Sequence, residues 1–189
     1  MAVARTRPGQ AVHSARLHLR ETAPLLATAR ALGYREATGV VTPASGMTLL
    51  QNARGERLAL ERLANGQVAA HSAGDSGAVA ALLHQHTLQQ ALRHLTTRGM
   101  AVQTARLANG EVQILARETT AGRGGQAEVR AQVRADGAVW VDVDKVQGNR
   151  CEEIVRDLAM AVGGAVADTK VKAACFQRPG EPARTRVKG

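Results

Sequence analysis

Arg62-Leu63-Ala64-Asn65-Gly66-Gln67-Val68 recurs with a single change as Arg106-Leu107-Ala108-Asn109-Gly110-Glu111-Val112, and Arg134-Ala135-Asp136-Gly137-Ala138-Val139 is a third version. Asn-Gly and Asp-Gly accept the positive φ angles of a two-residue type I′ turn, and residues of strand type flank each pair. Three β-hairpins are therefore predicted. The segments around the turns differ, so the recurrence reads as one answer to one steric problem and not as a repeat protein.

Outward from these turns, residues 47–52, 57–63 and 67–71 read as a meander, with Leu58, Leu60 and Arg62 alternating imperfectly with Ala59, Glu61 and Leu63. A short strand is predicted over 15–19. A helix over 21–32 has Leu25, Leu26, Ala29 and Leu32 at helical spacing, Pro24 in its first turn and Gly33 as its stop. A longer helix over 76–98 carries Val79, Leu82, Leu83, Ala91, Leu92 and Leu95 on one broad stripe and ends at Gly99. The hairpin 100–116 follows, then a Thr- and Gly-rich stretch that reads as a linker. Beyond it the order is strand, turn, strand, helix, strand. Asn149 with Glu152 forms a capping box at that helix, Gly163-Gly164 ends it, and Pro179-Gly180 and Pro182 interrupt the tail. The predicted class is α+β: an antiparallel sheet with two packed helices, followed by a small ββαβ domain. The expected divisions are a basic arm over 1–14, the α+β domain over 15–118, a Gly-rich linker over 119–126, the ββαβ domain over 127–176 and a basic disordered tail over 177–189.

The chain has 189 residues, 44% of them apolar and 22% charged, enough for a buried core. No apolar run approaches the roughly 18 residues of a membrane span, and no stretch reads as a secretory signal, so a cytoplasmic protein without a membrane span is expected. Two cysteines, Cys151 and Cys175, exclude a disulfide scaffold. The net charge is +9, yet residues 37–169 hold thirteen basic and thirteen acidic side chains. The excess sits at the ends, where Arg5, Arg7, Arg178, Arg184, Arg186 and Lys188 are the candidates for contact with a polyanion or an acidic partner. The ordinary reading of such runs is a solvated terminus. Tyr34, Trp140 and Phe176 are too scattered for a base-stacking platform, so nucleic acid would be met through phosphates.

Four constellations could carry chemistry. Cys151 lies in the first turn of a helix beside Arg150, where dipole and cation favour a thiolate, and it is the candidate nucleophile; a small buried residue is the commoner use. His84, His86 and His94 share a helix at spacings of two and eight, which suits a metal poorly. Asp142 and Asp144 alternate with valines and so share one face of a strand, read as its wet face. Gly124-Gly125-Gln126 spells the release-factor tripeptide, but the following residues do not continue that pattern.

Leu32-Gly33-Tyr34, the helix end Arg98-Gly99-Met100 and the hairpin 102–117 make residues 15–118 resemble the Ycf thirty-five family of chloroplast and cyanobacterial reading frames. Val146-Gln147-Gly148, Cys151, Leu158, Gly163-Gly164 and Lys170 make residues 127–176 resemble a small companion domain often encoded beside it. Tyrosines of that family's long helix are replaced here by His86 and Leu88. The resemblance implies an accessory or adaptor role next to MoxR-type AAA ATPases, and supplies no catalytic residue. The expected function is a non-enzymatic adaptor without a cofactor that docks on a protein partner such as a MoxR-type AAA ATPase. The alternative is a nucleic-acid- or ribosome-associated protein that binds through its arginine-rich termini.

Overall fold

The computed structural model describes residues 12–17, 22–37, 46–73, 76–120, 126–146 and 150–163. Its first sheet joins β1 (Val12–Leu17), β2 (Arg35–Glu36), β3 (Met47–Gln51), β4 (Arg57–Arg62) and β5 (Val68–Ala73) in the order β1-β5-β4-β3-β2. Its second joins β6 (Met100–Arg106), β7 (Val112–Glu118), β8 (Glu128–Val133) and β9 (Val139–Asp144) in sequence order. Every strand pair is antiparallel. Helices α1 (Ala23–Ala31), α2 (Ser76–Thr97) and α3 (Arg150–Ala161) complete an α+β fold.

The three predicted hairpins form, but their turns are not type I′. Gly66, Gly110 and Gly137 adopt φ of 79°, 82° and 85°, whereas Lys145 is the one non-glycine among the described residues with positive φ. Asn65, Asn109 and Asp136 therefore keep ordinary dihedrals. Their side-chain oxygens accept the amides of Gln67, Glu111 and Ala138 at 3.0–3.2 Å. Each loop is a type I turn followed by a left-handed glycine, in which only the residue without a Cβ takes the costly conformation. Asn52 to Glu56 repeats the device between β3 and β4, with Gly55 at φ 80°.

The packing does not divide where the sequence was expected to divide. β7 and β8 lie on either side of the expected linker, yet they are neighbours in one sheet, in continuous register from Val112↔Val133 to Arg117↔Glu128. The hairpin β6–β7 thus belongs with β8 and β9, and a strand-to-strand connection has the Thr- and Gly-rich composition of a linker. Residues 121–125 of that connection, the Asn149 cap, the expected strand after Gly163, residues 1–11 and the tail over 177–189 lie outside the described residues, whereas residues 12–14 of the expected arm belong to β1, where they pair with β5.

The true division runs through α2. Ala78, Val79 and Leu82 join Leu25, Ala29, Leu50, Leu58 and Leu60 in the first core. Ala91 and Leu95 join Ile114, Val129, Val133, Ile154 and Leu158 in the second. Leu82 and Ala91 are nine residues apart, about two and a half helical turns, so they point to opposite sides of the helix. The single stripe read from the sequence is two half-stripes serving two sheets.

Polar side chains mark the crossover. His86, 2% exposed, places Nδ1 3.4 Å from the Thr28 hydroxyl of α1. That hydroxyl lies 3.0 Å from the Pro24 carbonyl oxygen and 3.1 Å from Gln89 Oε1, one of which takes its single proton. Burial pushes the His86 pKa below 6.5. His84 Nδ1 donates to the Arg134 carbonyl at 2.8 Å, which seats the β8–β9 turn on the helix. A Cβ on Gly137 would stand 2.8 Å from Leu83 Cβ and 3.0 Å from the Leu83 carbonyl carbon. At the far end Arg98 Nη2 meets Asp157 Oδ2 at 2.6 Å and joins α2 to α3.

Two outcomes follow from this packing. Gly137→Ala adds both a left-handed alanine and a backbone collision, and should lower the unfolding free energy by about 2–4 kcal/mol in urea melts, while Gly110→Ala, which meets open space, should cost only about 1–2. His86 cannot readily charge in the fold but does so in the unfolded chain. Stability should therefore fall as pH drops below 6.5, and His86→Leu should flatten that part of a melting-temperature profile between pH 7 and 5.

Candidate functional site

The inner face of the second sheet is apolar: Val102, Val112, Ile114, Ala116, Val129, Ala131, Val133, Val141 and Val143 pack under the C-terminal half of α2 and under α3. Strand parity then sends the alternate residues to the opposite face. The register sets these in three rows: Ala105, Gln113, Gln132 and Trp140; Gln103, Leu115, Arg130 and Asp142; Ala101, Arg117, Glu128 and Asp144. Among the described residues no helix packs on this face. Trp140, the chain's single tryptophan, is 72% exposed there.

Glu128 is the electrostatic centre of the face. Its side chain is only 3% exposed because three cationic chains fold over it. Lys145 Nζ and Arg130 Nη2 each donate to it at 2.7 Å, and Arg117 Nε donates at 3.2 Å. Hydrogen bonds from Lys145 and then Arg130 hold its pKa at about 2, against burial, which acts the other way. The same contact raises the Arg130 pKa. Lys145 reaches Glu128 from a backbone at φ 63°, a left-handed conformation uncommon for a side chain of its size. Arg130 also lies 3.8 Å from Asp144 and directly across from Asp142. Gln132, beside Trp140, donates to Glu111. Arg117, Arg130 and Lys145 balance Glu128, Asp142 and Asp144, so the face has strong local charge and no net charge.

The residues singled out from the sequence fall elsewhere. Cys151 is buried in the second core, and its Sγ donates to the Val146 carbonyl at 3.5 Å. Arg150 beside it is engaged by Glu118. The thiol is thus a packed donor, not a group opening on a cleft with an imidazole. His84 and His86 occupy the packing described above, His94 is half-buried in the last turn of α2 with its pKa lowered by burial and then by Arg98, and among the described residues no group of three metal-type ligands converges. His71 contacts Glu61 at 3.1 Å on the first sheet. Arg5, Arg7, Arg178, Arg184, Arg186, Lys188 and Cys175 lie outside the described residues. An open depression of about 400 Å³ at the end of α1 is lined by Arg30, Gly33, Tyr34, Arg35 and Glu36, and Arg30 there is already paired with Glu36 at 2.9 Å.

Sequence reasoning missed Trp140 and Glu128. The first was legible, since the parity that puts Asp142 and Asp144 on the wet face puts Trp140 there too. The second was not, because Glu128 is paired by residues from two strands, β7 and β8, and from the segment after β9. Among the described residues no helix is long and apolar enough to cross a membrane. Compared with protein-family models, with curated proteins and with solved structures, the chain matches none.

The Glu128 pKa predicts an acid limb of stability. The unfolded chain takes a proton near pH 4.5 and the folded one near 2, so the contribution is complete above 4.5 and is lost as pH falls through 2. Glu128→Gln should melt below the native protein at pH 7, and the gap should close between pH 4.5 and 2.

Proposed function

We propose that this chain is a non-enzymatic adaptor that docks on a protein partner through the outer face of the second sheet, with Trp140 as the anchor. The observation that carries the reading is the 72% exposure of Trp140 on a sheet whose other face packs against α2 and α3. Tryptophan is enriched among the residues that dominate protein interfaces, and an apolar anchor within a polar, charged rim is the usual interface pattern. The balanced charge of the face supports a protein over a phosphate backbone, which would select net positive charge. The ion pairs around Glu128 hold the rim side chains in place before a partner arrives, which lowers the ordering cost of association. A MoxR-type AAA ATPase is the partner class, on the strength of the family resemblance alone.

The single tryptophan makes the test direct. Titrating a MoxR-type ATPase from the same genome into the protein should shift Trp140 emission to the blue as the indole leaves water. Trp140→Ala should weaken binding by about thirtyfold or more, with little change in melting temperature. An unshifted emission and an unchanged affinity would sink the reading. Binding that survives Trp140→Ala but is lost with residues 177–189 and with added salt would transfer the function to the basic tail and to a polyanion.

A further inference from the structure

We propose that β6 is the seat of a two-fold contact between two copies of this chain, joined edge to edge into one eight-stranded antiparallel sheet. The inference does not depend on the partner reading.

It begins with the backbone. Glu118 donates its amide to the Ala127 carbonyl at 3.0 Å, and the β7–β8 register makes Val112, Ile114 and Ala116 do the same toward β8. The intervening Gln113, Leu115 and Arg117 bond to β6, where they face Ala105, Gln103 and Ala101. Leu107, which donates to Glu111 at 2.8 Å, continues that set. Met100, Val102, Thr104 and Arg106 therefore direct their amides and carbonyls away from the sheet, and among the described residues no strand pairs with that side.

Free edges are ordinarily blunted by charge, proline or shortness. β9 carries Asp142 and Asp144, and β2 is two charged residues long. β6 is seven residues long, has no proline and carries no charge from Met100 to Ala105. What selects a second copy over a foreign strand is the sequence itself. Ala101-Val102-Gln103-Thr104-Ala105 reads alike in both directions, the isosteric Val102 and Thr104 exchanging places about Gln103. An antiparallel pair centred on Gln103 sets Val102 against Thr104 of the second copy, Ala101 against Ala105, and Met100 against Arg106. The outward-directed residues then meet in hydrogen-bonded pairs, and the two Gln103 side chains face each other on the axis. Such a contact is isologous and closes on itself. The helix-covered faces align, and the two Trp140 faces lie on one side of the joined sheet.

The 189-residue protein should sediment as a dimer that dissociates on dilution. Gln103 is exposed, so Gln103→Lys should leave the circular dichroism spectrum unchanged. It should lower the association constant at least tenfold by opposing like charges across the axis. Gln103→Cys in a Cys175→Ser background should crosslink into a dimer under mild oxidation, because a facing pair without backbone bonds meets disulfide geometry. Ala101→Cys and Ala105→Cys in the same background should each fail to crosslink. A monomer at every concentration, a dimer indifferent to Gln103→Lys, or a Gln103→Cys protein that stays uncrosslinked overturns the proposal. So does a monomer whose Val102 and Thr104 amides gain exchange protection only with another protein, which gives the edge to a foreign strand.

Discussion

One helix has to satisfy two sheets. α2 is 22 residues long and gives its first turns to the core of the five-stranded sheet and its last turns to that of the four-stranded one. Because 3.6 residues make a turn, a helix that changes partners along its length must change faces, and it does so between Leu82 and Ala91. Where the apolar stripe changes sides, apolar residues alone cannot cover the backbone of both neighbours. His84, His86 and Thr28 fill that space, His86 Nδ1 meeting the Thr28 hydroxyl and His84 Nδ1 the Arg134 carbonyl. The cost is a histidine that stays neutral in the core. The benefit is a joint fixed by direction as well as by burial, since the hydrogen bond of His84 and the close approach of Gly137 to Leu83 leave little freedom to slide.

That joint decides what the second sheet exposes. Its inner face is claimed by α2 and α3, so its outer face carries what remains of each strand: Trp140, two glutamines in line with it, and the ion cluster around Glu128. A carboxylate held at about 2 by two close cations is fully ionised at any physiological pH, so the cluster acts as a fixed brace and not as a proton-transfer group. Its three cations are half-exposed and share one anion, which fixes their guanidinium and ammonium groups on the face. The chemistry available there is recognition: an aromatic surface next to oriented charges of both signs.

Helix positions and hairpins were legible from residues alone because each rests on neighbours in sequence, whereas the first strand, expected over 15–19, lies at Val12–Leu17, and the two-residue β2 was not foreseen. Gly33 and Gly99 end their helices with left-handed φ, and the helices begin and end within a residue or two of where spacing placed them. The turn type was misread because Asn-Gly satisfies two geometries. The deciding interaction, an Asn or Asp oxygen accepting an amide two residues on, leaves both with the same sequence signature. The exposure of Trp140 could be read from strand parity. The burial of Cys151 as a carbonyl-bonded thiol could not, because helix position and an adjacent arginine say nothing about what packs over the sulfur.

The sequence by itself determined the α+β class, the hairpins and the neutral centre of the chain, all of which follow from local sterics, periodicity and counting. Only the tertiary structure decided that Arg117 and Glu128 are partners in one sheet and not the edges of two domains. It also decided that α2 has two faces, that Glu128 is the shared anion of three cations, and that β6 is an open edge. Each of these is a contact between residues distant in the chain, and the free energy of such a contact depends on which surfaces the whole fold brings together, a quantity that no window of sequence contains.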